Sequence, residues 1–137
     1  MGFYIRDVFI PNRVVLGPMA GNTNYAYRKI AKEFGAQAVI AIGGGSPIDA
    51  GKSVAILLEY PDKTASDLYE FRFEAKKAVP VIAINLTHGT GSETNRFAVV
   101  TIPEKEYKPA IAYDCIYPSY SIDDNAEHFS NEFFGIV

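Results

Sequence analysis

Apolar residues in this chain fall in short continuous runs, separated by turn residues, that alternate with segments whose apolar positions recur at helical spacing. Val14-Val15-Leu16, set between Pro11-Asn12 and Gly17-Pro18, predicts a short strand. From Asn24 the positions Ala26, Tyr27, Ile30, Ala31 and Phe34 predict a helix of about three turns, with Gly35 as its left-handed cap. Ala38-Val39-Ile40-Ala41-Ile42 then reads as a strand buried on both faces. A second helix is predicted from Pro47 to about Glu59, with Ser46 as N-cap and Asp49 completing a capping-box variant; Ile48, Val54, Ala55, Leu57 and Leu58 form its apolar face. A short helix over Ser66-Asp67-Leu68-Tyr69 and a second inner strand over Val81-Ile82-Ala83-Ile84 follow. Ala98-Val99-Val100-Thr101 and Ala110-Ile111-Ala112 flank Pro103-Glu104-Lys105-Glu106 as the arms of an antiparallel hairpin, and Ser119-Tyr120-Ser121-Ile122 adds a last strand. The order predicts an α/β fold: a small parallel sheet with flanking helices plus a hairpin.

Length and composition narrow this picture. A chain of 137 residues fits one domain and is too short for the two-domain layout of most dinucleotide enzymes. With 48% hydrophobic and 21% charged residues it belongs with folding globular chains rather than disordered ones. The net charge of −3 is spread over mixed signs with no basic stripe, so nucleic acid is excluded as a partner class. A single cysteine, Cys115, rules out an internal disulfide framework. It has no identified base beside it in the sequence and is not assigned as a nucleophile. No stretch is apolar enough to span a bilayer, and MGFYIRDVF lacks a signal-peptide pattern, so no membrane association and a cytoplasmic location are expected.

Two loops could carry chemistry. In AVIAIGGGSPIDAGKSVAILLEY a buried strand stops at three glycines and opens into a helix, so backbone N–H groups and the positive end of the helix dipole face the strand end. One reading is a phosphate site; the other is a tight strand-to-helix turn. Lys52 lies inside the helix rather than directly after the glycines, so the segment is neither a Walker loop nor a GxGxxG fingerprint. The second loop, Thr87-His88-Gly89-Thr90-Gly91-Ser92-Glu93, is dense in hydroxyls and is either a structural Ser/Thr turn or the other wall of a donor-rich crevice. Two such loops on neighbouring strand ends favour the crevice.

At these loops the sequence resembles the iron-containing, or group III, alcohol dehydrogenases. IGGGSPIDAGKSVAILLEYP, DLYEF, VPVIAINLTHGTGSETNRFAVVT and SIDD are similar to that family's nucleotide-binding domain, and FIPNRVVLGP to its first strand. The resemblance implies an incomplete Rossmann-like domain and hydride exchange between NAD or NADP and a small alcohol or aldehyde, assisted by iron or zinc. It implies a pyrophosphate lined by Gly44, Gly45 and Ser46, and cofactor contacts from Thr87, Thr90 and Lys108.

Three departures qualify those implications. Asn85-Leu86-Thr87-His88 stands where the family usually reads Pro-Thr-Thr and a small residue, which removes one hydroxyl and implies weakened or lost NAD(P) affinity. Between Gly17-Pro18 and Asn24 the chain skips the strand whose end carries the family's acidic ribose-binding residue, an internal deletion that leaves a sheet edge bare. The resemblance also implies a metal held by one Asp and three His of a C-terminal helical domain, placed beyond this chain, whose only histidines are His88 and His128. No catalytic residue and no Fe or Zn ligand is therefore assigned; Asp123-Asp124 with Glu127 and His128 reads as a solvated end. The expectation is a single truncated nucleotide-binding domain over residues 1–137, inactive alone, that binds a dinucleotide or phosphate and pairs as a homodimer through its bare edge. The alternative is a non-catalytic structural module, or an engineered fragment, that self-associates.

Overall fold

The structure, a computed structural model, describes residues 3–5, 8–10, 32–33, 35–102 and 106–123. It opens on an antiparallel hairpin of β1 (Phe3–Ile5) and β2 (Val8–Ile10), in which Tyr4 faces Phe9. Their rings pack with centroids 5.0 Å apart. Three-residue arms are too short for strand periodicity to register, and the sequence pattern missed them. The strand expected at Val14–Leu16 lies outside the described residues, as does the helix expected from Asn24 except for helical Lys32 and Glu33 and for Gly35, whose φ of +77° fits the left-handed conformation of a helix cap.

The centre is a parallel sheet of β3 (Val39–Gly43), β4 (Val81–Asn85) and β7 (Tyr120–Asp123), in the order β3-β4-β7. β4 is buried along its whole length, as its uninterrupted apolar run requires of an inner parallel strand. The register places Gly43 opposite Asn85 and Asn85 opposite Asp123, so the three strands end on one line at their carboxyl edge.

Between β3 and β4 runs α1 (Gly45–Glu59), the crossover that parallel pairing demands. One of its faces lies on the sheet, where Ala55 and Leu58 meet Val39, Val81 and Val79, and Ile48 meets Ala41 and Ala83. Its other face, with Ile56 and Leu57, is covered by Leu68, Tyr69, Ala98, Ile111 and Ile116. Those residues belong to α2 (Ala65–Tyr69), to the antiparallel hairpin of β5 (Phe97–Val99) and β6 (Ala110–Ala112), and to a 3-10 turn at Asp114–Ile116. The helix is thus held between sheet and hairpin. Ile40, Ile82, Ile84 and Ile122 are buried on the opposite face of the sheet.

One expectation about α1 is corrected. Its N-cap is Gly44, not Ser46, the cap makes no side-chain hydrogen bond, and the helix begins at Gly45, two residues before Pro47. The capping box fails because Asp49 is engaged elsewhere: it accepts a hydrogen bond from the Ser92 hydroxyl, and its Oδ2 accepts the Val99 N–H at 3.0 Å. The same Ser/Thr-x-x-Asp pattern does close a capping box at the start of α2, where Asp67 accepts from the Thr64 N–H at 2.9 Å and donates its own N–H to Thr64 Oγ1 at 3.2 Å.

Candidate functional site

At the carboxyl edge of β3 the chain must turn sharply into α1. Gly43 takes φ +138°, a value that side chains disfavour, and a Cβ there would stand 2.8 Å from Pro47 Cγ. Ile48 N–H donates to Gly44 O at 3.3 Å and closes the first helical turn. The amides of Gly45 and Ser46 precede that bond and have no partner within α1, and Pro47 has no N–H at all. The positive end of a fifteen-residue helix therefore points out of the strand end with no capping side chain over it, the local chemistry that attracts a phosphate.

The second loop closes over the same point. A Cβ on Gly44 would collide with Thr87 Oγ1, and one on Gly45 would stand 2.7 Å from Thr90 Cγ2 and 2.8 Å from its Oγ1. Only glycine permits these two loops to approach so closely. Ser46, Thr87 and Thr90 are all exposed residues, and Thr90 Oγ1 accepts the Ser92 N–H at 3.3 Å. Of the six residues implied for the cofactor, the structure gathers Gly44, Gly45, Ser46, Thr87 and Thr90 on this edge. Lys108 does not join them through any of these contacts: it is exposed in the β5–β6 connection, beside the bridge between Ile102 and Tyr107. His88 is exposed in the second loop.

Beneath the two loops lies a polar network. Lys52 is fully buried, and its Nζ donates to Ser92 Oγ at 3.1 Å, Asn95 Oδ1 at 3.1 Å and the Phe97 carbonyl at 2.7 Å. Asp49 Oδ1 lies 3.9 Å from the same Nζ. Burial pulls the Lys52 pKa down from 10.5 to about 8, while the negative charges of Asp49 and Glu93 pull it back up. Glu93 Oε2 and Asn85 Oδ1 are buried with no hydrogen-bond partner; the Asn85 amide nitrogen donates to Asp123 Oδ1 at 3.2 Å, joining the ends of β4 and β7.

The pattern of Ile48, Lys52 and Ala55 at helical spacing was the available signal for this network, because a lysine in the middle of an apolar helical face needs buried partners. Sequence could not name those partners, which lie 40 to 45 residues further on.

The remaining candidates are set apart from this edge. Cys115 sits in a cavity of about 640 Å³ at the amino ends of β3 and β4, shared with Lys32, Glu59, Lys76 and Lys77, and burial pushes its thiol pKa up. Among the described residues no group of three or more His, Cys, Asp or Glu side chains is placed to hold a metal ion; His128 and Glu127 lie outside them. The described residues therefore do not fit the metal that the resemblance implies. No helix among them is long and apolar enough to cross a membrane.

Comparison with known proteins agrees with this geometry. The profile of the family described as iron-containing alcohol dehydrogenase matches residues 22–125. The long-chain primary alcohol dehydrogenase AdhA of Thermoanaerobacter ethanolicus is 72% identical over 96 residues, which are 70% of this chain and 24% of that protein. An NADPH-dependent butanol dehydrogenase of Clostridium saccharobutylicum is 35% identical over 127 residues, 89% of this chain and 33% of that protein. Among solved structures, sulfoacetaldehyde reductase from Bifidobacterium kashiwanohense in complex with NAD+ superposes with a TM-score of 0.64 at 32% identity, covering 72% of this chain and 26% of that one. The NADH-dependent butanol dehydrogenase A of Thermotoga maritima gives 0.62 at 26% identity, covering 80% and 27%. The chain thus spans from about a quarter to a third of the length of these proteins.

Proposed function

Since the chain belongs to the iron-containing alcohol dehydrogenase family, we propose that it carries the nucleotide-binding part of an NAD(P)-dependent oxidoreductase of small alcohols or aldehydes. The observation that carries this reading is the uncapped start of α1, where the two glycines of closest approach are overhung by Thr87 and Thr90. In this reading the pyrophosphate rests on the N–H groups of Gly44, Gly45 and Ser46, and the two threonine hydroxyls and their loop flank it. The bound cofactor supplies the hydride chemistry; this chain binds and orients it. A ligand that prefers the native state raises its stability, so thermal melts with NADH, NADPH and ADP-ribose test the reading directly. An upward shift in melting temperature that grows with ligand concentration is expected, smaller than for an intact family member because Leu86 replaces a hydroxyl-bearing residue. No shift with any of the three at millimolar concentration rejects it.

The same reading includes self-association. Among the described residues β3 pairs on one side only, with β4, and its other edge would be the surface through which two copies meet. A molar mass by light scattering that stays at one chain across a dilution series removes that part of the proposal.

A further inference from the structure

We propose that Lys52 is a positioning residue of the dinucleotide site, a buried clamp that fastens the Thr87–Asn95 loop onto α1 and so sets the hydroxyls of Thr87 and Thr90 over Gly44 and Gly45. The proposal rests on the nucleotide reading above for its purpose, and on the geometry of the network for its content.

The three hydrogen bonds of the ammonium all go to the latter part of the loop and the residue that leaves it: Ser92 on the 3-10 turn, Asn95 after it, and the carbonyl of Phe97 where β5 begins. A lysine ammonium has three protons, so its donor capacity is filled by one segment. Each of those partners is itself tied into the loop. Asn95 returns its amide to Gly91 O at 2.8 Å and takes the Phe97 N–H on Oδ1 at 2.9 Å. Ser92 donates its hydroxyl to Asp49 and its N–H to Thr90 Oγ1 at 3.3 Å, which links the buried lysine to one of the exposed hydroxyls of the site. These internal bonds, with Thr94 N–H to Gly91 O at 3.0 Å, shape the turn, but the loop is short of apolar side chains, so its fastening onto α1 falls to the polar bonds of Lys52 and Asp49.

The clamp is also coupled to protons. The groups that face the ammonium are Asp49 from its own helix, Glu93 from the 3-10 turn, and the neutral Ser92, Asn95 and Phe97 carbonyl. Opening the loop would rehydrate Lys52 and return its pKa from about 8 toward 10.5. The open state therefore binds the proton more tightly than the closed one, and acidification favours opening. Loop closure should strengthen as pH rises through about 8, because a neutral amine keeps two donors without the cost of a buried charge.

Amide hydrogen exchange on the full 137-residue chain without ligand reads this clamp at Leu86, Ser92 and Thr94, whose N–H groups bond to Gly43 O, Thr90 Oγ1 and Gly91 O. In Lys52→Met, which removes all three bonds, exchange there should accelerate by at least about tenfold at neutral pH, the effect of losing a single charge-assisted bond, while β4 keeps its protection. In the wild-type chain, protection corrected for intrinsic rates should rise above about pH 8, and Asp49→Asn should move that rise to lower pH by removing a charge that keeps Lys52 protonated. NADH titrated into the same proteins should bind about tenfold more weakly to Lys52→Met and unchanged to Lys77→Met, a lysine at the other end of the sheet. Equal loop exchange in wild type and Lys52→Met, or a wild-type profile flat from about pH 6 to about pH 9.5, overturns the clamp. If Lys52→Met does not fold, the wild-type and Asp49→Asn pH profiles still decide the question. If the wild type binds no NADH, the nucleotide reading fails while the exchange data decide the role of Lys52 independently.

Discussion

At Gly45 the volume of a methyl group is already occupied by Thr90, and Thr90 in turn accepts the Ser92 N–H, so the position is packed through two layers of the site. Gly45→Ala should force Thr90 aside, cost about 1–3 kcal/mol as an overpacked contact, and weaken NADH binding; urea unfolding and a fluorescence titration read the two effects separately. A substitution that left both unchanged would show that the loops do not meet as described. The glycine triplet was legible in the sequence because its residue type states its own requirement. Thr87 and Thr90 were legible only as one wall of a crevice, since nothing local says which backbone a hydroxyl will touch. Lys52 was read as an ordinary helical residue and Asp49 as a capping-box partner of Ser46, because the groups that define their roles are distant in sequence.

Among the elements, the inner strands β3 and β4 were legible almost to the residue, because a continuous apolar run bounded by turn residues leaves little choice in a parallel sheet. The hairpin of β5 and β6 was legible from two short apolar segments flanking the turn residues Pro103-Glu104-Lys105-Glu106, and the last strand from Ser119-Tyr120-Ser121-Ile122. The start of α1 was not: Ser46-Pro47-Ile48-Asp49 has the form of a capping motif, and the long-range demand of Ser92 and Val99 on Asp49 overrides it. The Ser/Thr-x-x-Asp motifs that begin at Ser46 and Thr64 should therefore respond differently to mutation. Thr64→Ala removes a working cap from α2 and should cost about 1 kcal/mol, whereas Ser46→Ala, at an exposed second helical position, should cost a few tenths at most, both measured by denaturant midpoints. Lys52 adds a pH signature. Its folded pKa is below its unfolded value, so its charge costs stability fully below about pH 8, and that cost is relieved between about 8 and 10.5. The denaturation midpoint of wild type should rise relative to Lys52→Met across that window, starting from a neutral-pH difference of about 3 kcal/mol in favour of wild type, because removing one member of a buried polar network strands the others.

At the largest scale, a polypeptide limited to these 137 residues is expected to give no alcohol-dependent NADH production even with added iron or zinc, since its two histidines cannot supply a set of one Asp and three His. Robust turnover by the purified chain, followed by absorbance of NADH, would overturn that expectation. The sheet order has a separate consequence for how the molecule comes into being. β4 lies between β3, which precedes it, and β7, which follows it by some 35 residues of intervening chain. During synthesis the unit from Val39 to Asn85 can close as soon as it emerges, with α1 packed on one face, yet the far side of Val-Ile-Ala-Ile-Asn stays unpaired until Tyr120–Asp123 arrive. An apolar strand with an open edge is a template for other chains, so translation that stalls within that interval should leave aggregation-prone nascent protein, while release after β7 should not.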